Sequence, residues 1–259
     1  MCQNKSNNSE IYCIKKTMGE LRNMFNEIRK IPFHKSLRNG STGIGYTFET
    51  LIGKKEDSLC LPDYKGIEIK TKLGYSKSSM TLFTSNPQRD DDIKAIDFLI
   101  DKFGYTKKAD KVLKRFTCCL YSNKLSNLKS NFLCKLNIDM KNNKLQMLIL
   151  NRNLEIIDNG IYWNLDILKN KLYTKLNFLA LVKGYPYKIN NEIYYKYTSL
   201  SFYKLKGFSN FLELLRNDNV QVLFSIEILT DKNNHKKIHN RGGTFRININ
   251  KIDELFLKM

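Results

Sequence analysis

The segment 40–72, GSTGIGYTFETLIGKKEDSLCLPDYKGIEIKTK, constrains the fold of this chain more than any other. Apolar and polar residues alternate around Ile67 and Ile69 with the period of a half-buried strand, which predicts a strand over 66–72 with Glu68 and Lys70 on one face. Before it, Ile44, Phe48, Leu51 and Ile52 recur at helical spacing after a glycine-rich turn, predicting a short helix that carries Glu49. Pro62 and Asp63 stand between the two, with Asp63 at the head of the strand. A sheet must therefore include a strand that presents an acid and a lysine, with two further acids brought near it.

Those residue types suit the hydrolysis of a phosphodiester, which needs a divalent ion to polarise the phosphate, an activated water and something to meet the developing charge. Asp63 and Glu68 offer hard oxygen ligands of the kind Mg²⁺ takes. Lys70 is placed to position the water or stabilise the oxyanion, and Glu49 to act from the helix as an outer ligand or orienter. The competing reading is a solvated strand face, because a lysine-rich chain with 25 acids contains acid-x-Lys triplets by chance. The company of this triplet raises it above chance: a Pro-Asp upstream, a glycine ahead of the strand, and a helix with a further Glu.

The same segment resembles the MvaI/BcnI family of type II restriction endonucleases, related to mismatch-repair nicking enzymes of the MutH type, in which a TGIG-helix-Glu element precedes PD and EIKT. TGIGYTFETL, LPDYKGIEIKT and TLFTSNP (81–87) match in order, as do GIYWNLDILKNKL (160–172), YYKYTS (194–199) and HNRGGTFRIN (239–248), with the MvaI branch the nearer one. The likeness covers most of the chain from about Gly40 onward. It implies a mixed α/β fold, with a restriction-endonuclease-like core sheet flanked by helices and a second, DNA-reading lobe. It implies Mg²⁺-dependent cleavage of double-stranded DNA at a short sequence of CCNGG type, by a monomer that cuts the strands in succession. A DNA methyltransferase of the same system would be a functional partner. The alternatives are a MutH-like nicking repair enzyme and a DNA-binding module that kept the fold without catalysis.

Carried over residue by residue, the resemblance makes Glu49, Asp63, Glu68 and Lys70 the catalytic set, with Asp63 and Glu68 on the metal. It puts His239, Arg241 and Arg246 in the base-reading lobe. Asn240, Arg241, Gly243 and Thr244 depart from the MvaI branch, as do Leu223 and Ser225, where that branch has an acid and an arginine. The chemistry is therefore expected to transfer, and the recognition sequence is left open.

Forty-four Lys and Arg against 25 Asp and Glu give a net charge of +19, the balance of a protein that neutralises a phosphate backbone, although a Lys-, Asn- and Ile-rich composition accounts for it equally. The 259 residues, 42% of them hydrophobic, suffice for one large domain or two joined lobes. The expected division is 1–110 for the N-terminal helix and catalytic core, and 111–259 for the remaining sheet and the DNA-recognition lobe. Cys2, Cys13, Cys60, Cys118, Cys119 and Cys134 show no metal-ligand spacing and are expected as reduced thiols in a cytoplasmic chain. No apolar run approaches a membrane span, and MCQNKSNNSE lacks the apolar core of a secretion signal.

Elsewhere, helical periodicity predicts an amphipathic helix from a cap at Ser9 through Ile28, and helices over 91–103, 165–172 and 209–216, with a short one near Asn250. Strands are expected over 80–84, 112–121, 131–139, 145–151, 178–182, 192–198, 220–228 and 244–249. In 220–228, Val222, Phe224, Ile226 and Ile228 form an apolar face. Gln221, Leu223, Ser225 and Glu227 form the other, where Gln suits adenine and Glu suits cytosine, or the face is simply solvated. From Lys232 to Arg246 cations gather around Gly242 and Gly243, a pair that permits close backbone approach to a ligand. Arg246 is the expected guanine reader, and Lys236 and Lys237 the expected phosphate contacts. His34 and His235 are expected at the surface and Trp163 in the core.

Overall fold

The computed structural model describes residues 3–54, 61–91, 93–106, 112–129, 131–230 and 235–259, with side chains from Tyr12 onward apart from that of Arg241. Cys2, Cys60 and Lys232 lie outside the described residues. In chain order the elements are α1 (Gln3–Lys30), β1 (His34–Lys35), α2 (Gly43–Leu51), β2 (Glu68–Leu73), β3 (Met80–Ser85), β4 (Gln88–Arg89), α3 (Ala95–Phe103), β5 (Val112–Leu120), β6 (Ser126–Asn127), β7 (Leu133–Asp139), β8 (Lys144–Leu150), β9 (Ile156–Asn164), α4 (Leu165–Leu176), β10 (Phe178–Ile189), β11 (Glu192–Leu205), α5 (Phe208–Arg216), β12 (Val220–Thr230), β13 (Lys236–Ile247), a 3-10 turn (Ile249–Lys251), α6 (Ile252–Leu255) and β14 (Phe256–Lys258). Sheets flanked by helices make this the expected mixed α/β class. Among the described residues no helix is long and apolar enough to cross a membrane.

The first of two compact units comprises Met1–Lys77, Tyr173–Lys206 and Phe256–Met259. Its sheet runs β1-β11-β10-β2, with β14 also paired to β11. β10 and β11 form a long antiparallel hairpin whose turn residues, Asn190 and Asn191, have φ of 49° and 64°, a left-handed geometry that Asn tolerates. β2 joins β10 in parallel, with Glu68 opposite Leu179 and Lys70 opposite Leu181. Ile14, Leu21 and Phe25 of α1 and Ile44 and Phe48 of α2 share one core with Ile69 and Val182. α1 begins at Gln3 rather than at a Ser9 cap, because no Gly or Pro interrupts QNKSNNSE. His34 is buried, against the expectation of a surface residue. Its pairing opposite Tyr195 seats the ring inside, where Nε2 donates to the Ile28 carbonyl at 2.8 Å.

The second unit comprises Ser78–Leu172 and Gly207–Leu255 and carries two antiparallel sheets, β3-β13-β12-β5 and β4-β9-β8-β7-β6. Phe83, Phe116, Trp163, Phe211, Phe224 and Phe245 form its aromatic centre. Trp163 is in the core, as expected, and satisfies its indole by donating to the Ser85 carbonyl at 2.8 Å. β12 alternates as its sequence predicts as far as Ile226, with Val222, Phe224 and Ile226 buried and Gln221, Leu223, Ser225 and Glu227 half-buried, while Ile228, expected on the buried face, is half-buried.

Two local expectations fail here for identifiable reasons. β9 goes unforeseen because register shifts against β8 and the exposed Ile156 and Ile157 spoil the alternation. β13 starts at Lys236 and not at Thr244, so Gly242 and Gly243 lie inside the strand. A Cβ on Gly243 would stand 2.7 Å from Trp163 Cζ2 and 2.9 Å from the Ser85 carbonyl oxygen. That glycine makes room for the core.

The two units interleave along the chain. Parallel pairing of β2 with β10 draws 173–206 into the first unit, and pairing of β3 with β13 keeps 78–110 in the second. Such long-range pairing leaves no trace in local periodicity.

Candidate active site

Just ahead of β2 the chain doubles back. Tyr64 and Ile67 exchange backbone hydrogen bonds of 3.0 and 2.8 Å around Lys65 and Gly66, whose φ values are 42° and 88°. This two-residue turn needs left-handed backbone at both positions, which glycine adopts without steric cost. Asp63 is thereby folded against the strand, and its Oδ2 accepts the Ile69 N–H at 2.9 Å. The gap between PD and EIK is the length of this turn, and Asp63 satisfies a donor that β10 does not take.

A second glycine brings in the helix acid. A Cβ on Gly45 would lie 2.9 Å from Thr71 Oγ1 of β2, so glycine permits α2 to lie this close, and Glu49 follows one turn later. Glu49, Asp63, Glu68 and Lys70 all line one cleft of about 370 Å³, joined by Arg38 and Lys175. The four residues read from the sequence are thus gathered in one place.

The carboxylates of the cleft are closely attended by cations. Glu68 is 1% exposed; Lys70 Nζ donates to its Oε1 at 2.5 Å, and Lys175 Nζ stands 3.6 Å from the same oxygen. Glu68 Oε2 is buried with no hydrogen-bond partner. Lys54 pairs with Asp63 Oδ1. Burial pushes the Glu68 carboxyl above the usual range, with Asp63 adding to the effect and Lys70 and Lys175 opposing it. Glu49 is raised too, first by burial and then by Asp63, against Lys54 and Lys70. Nothing in the sequence singles out Lys54 or Lys175 among so many lysines. Lys175 reaches Glu68 only because α4 runs into β10, the partner of β2.

Among the described residues no three His, Cys, Asp or Glu side chains stand close enough to make a closed metal-ligand set. A hard ion of the Mg²⁺ type does not require one, since it keeps several waters and takes one or two carboxylates plus substrate phosphate. Asp63 and Glu68, the latter with a buried and unpartnered oxygen, fit such an ion.

The other expected residues fall along β13 in the second unit. Lys236, Lys237 and His239 are exposed, and the Arg241 side chain lies outside the described residues. Arg246 is half-buried and anchored, its Nη2 donating to the Ser79 carbonyl at 3.1 Å while Nε is buried without a partner. On the neighbouring strands Arg115, which the sequence reading passed over, contacts Glu227.

The profile of the MvaI/BcnI restriction endonuclease family matches residues 22–256. The solved complex of restriction endonuclease MvaI with cognate DNA is similar to this chain with a TM-score of 0.83 and 30% identity, over 93% of this chain and 96% of that one. Restriction endonuclease MvaI in the absence of DNA gives a TM-score of 0.60 and 28% identity, over 94% and 96%. No curated protein matches the chain. The family match takes in both units, the interleaved segments of each included, and so the chain belongs to the MvaI/BcnI restriction endonuclease family and is a type II site-specific deoxyribonuclease.

Proposed function

We propose that the first unit hydrolyses phosphodiester bonds of double-stranded DNA with Mg²⁺, and that the second reads a short sequence, of CCNGG type. The observation that carries this reading is the convergence of Asp63, Glu68 and Lys70 on one cleft, where a buried Glu68 oxygen lacks a partner. Asp63 and Glu68 would hold the ion, which when bound would supply a Lewis acid for the phosphate and make a bound water more acidic. Lys70, tethered to Glu68, is placed to orient an attacking water and to meet charge developing on the phosphate oxygens. Glu49 approaches from α2 as an outer ligand or orienter. Lys236 and Lys237 serve as phosphate contacts, and His239, Arg241 and Arg246 belong to the base-reading set. The chain acts as a monomer, cutting the strands in succession, alongside a methyltransferase that protects the same site.

Supercoiled plasmid incubated with enzyme and Mg²⁺ should pass through a nicked circle to linear fragments with uniform end sequences, and EDTA should prevent both steps. Asp63→Ala and Glu68→Ala should abolish cutting. Persistent nicked circles, or near-normal cutting by either variant, would overturn the assignment.

A further inference from the structure

We propose that Lys54 holds the place of a divalent ion at Asp63, so that metal binding in this cleft requires its displacement. The inference rests on the metal reading above and adds a residue to it.

Asp63 has both oxygens engaged. Oδ2 accepts the Ile69 N–H, and this bond belongs to the turn that builds the site. Oδ1 is therefore the oxygen left for a metal, and Lys54 covers it. Glu68 differs, since Lys70 holds Oε1 while Oε2 has no partner. Of the lysines at these carboxylates, Lys54 is the one seated on the coordinating atom.

The pair is also built in. Its side chains are 14% and 13% exposed, so the contact lies mostly out of solvent, where an ion pair is held more strongly than at a surface. The backbone of Lys54 is fixed by the end of α2, its N–H donating to the Glu49 carbonyl at 2.9 Å after Gly53 at φ 79°. The residue that occupies Asp63 thus springs from the helix turn that carries the third acid. Four cations, Arg38 with the lysines at 54, 70 and 175, attend three carboxylates, at 49, 63 and 68. A doubly charged ion entering this set adds to an existing excess of positive charge, which release of Lys54 relieves. The ammonium neutralises the acids while the metal is away and competes with it on arrival.

Calorimetric titration of the full chain with Ca²⁺, without DNA, tests this. Lys54→Met keeps the packed stem and removes the charge, and should bind Ca²⁺ about tenfold more tightly than wild type, since a partly buried competing charge is gone. Lys54→Arg keeps the charge on a fork that matches a carboxylate, and should bind several-fold more weakly. The metal-free Lys54→Met protein should melt lower than wild type and show the larger rise in Tm on adding Ca²⁺. Equal or weaker Ca²⁺ binding by Lys54→Met overturns the inference; should that variant not fold, unchanged affinity in Lys54→Arg does so. Asp63→Ala serves as the control: if it binds Ca²⁺ as wild type does, the metal assignment itself has failed, and the inference with it.

Discussion

Arg115 and Glu227 are register partners across β5 and β12, with Nε 2.7 Å from Oε1, an ion pair in which the N–H is not aligned for a hydrogen bond. His239 flanks the same carboxylate from β13 at 4.0 Å. A Glu227 paired with Arg115 and flanked by His239 is poorly free to accept from cytosine, and its better use is to orient Arg115. With Nε on the carboxylate, the two Nη groups remain as a fork for guanine O6 and N7. Arg115→Ala should weaken binding to the cognate duplex by roughly 5- to 150-fold, the equivalent of about 1–3 kcal/mol, with little change on random duplex. Glu227→Gln should act in the same direction and less. Competition binding in Ca²⁺ measures both, and equal losses on the two duplexes would make Arg115 a phosphate contact.

The two lysines at Glu68 should separate by distance. Lys70 touches Glu68 at 2.5 Å, while Lys175 stands 3.6 Å away. Lys70→Ala should lower single-turnover cleavage by about 10²–10³-fold, the cost of one oriented oxyanion donor. Lys175→Ala should cost about tenfold through weaker Coulomb support of the site. Both should retain specific DNA binding in Ca²⁺. A loss for Lys175→Ala equal to that for Lys70→Ala would give it a direct part in the chemistry.

Arg246 and Lys236 should differ in salt dependence. Arg246 is half-buried and tied to the Ser79 carbonyl, so its guanidinium is already oriented, whereas Lys236 is exposed. Lys236→Ala should weaken all duplexes alike and make the slope of log affinity against log salt shallower by roughly one unit. Arg246→Ala should weaken cognate DNA selectively at nearly constant slope. Affinity measured across a salt series distinguishes the two.

Gly243→Ala tests whether that glycine serves the core or a ligand. The added methyl would meet Trp163 and the Ser85 carbonyl, and should destabilise the protein by about 1–3 kcal/mol, as overpacking does. Denaturant unfolding followed by Trp163 fluorescence reads it. An unchanged midpoint with lost DNA binding would restore the ligand role.

The sequence by itself determined the elements whose signals are local. Alternation around Ile67 and Ile69 placed β2, the Gly-rich turn and apolar spacing placed α2, and Pro62-Asp63 stood at the head of the strand; the turn of two left-handed residues that folds Asp63 against it came from the structure. These are short-range consequences of backbone sterics and periodicity, and so the four cleft residues could be read directly. The even alternation of β12 was legible for the same reason. Only tertiary structure decided what depends on pairing between distant segments. Parallel addition of β2 to β10 set the boundaries of the units, carried Lys175 to Glu68 and put Leu179 opposite an acid. The β5-β12-β13 register brought Arg115, Glu227 and His239 into one row, and the packing of Trp163 explained Gly243. Each of those contacts joins residues far apart in the chain, where no spacing rule operates and the packed core alone chooses the partner.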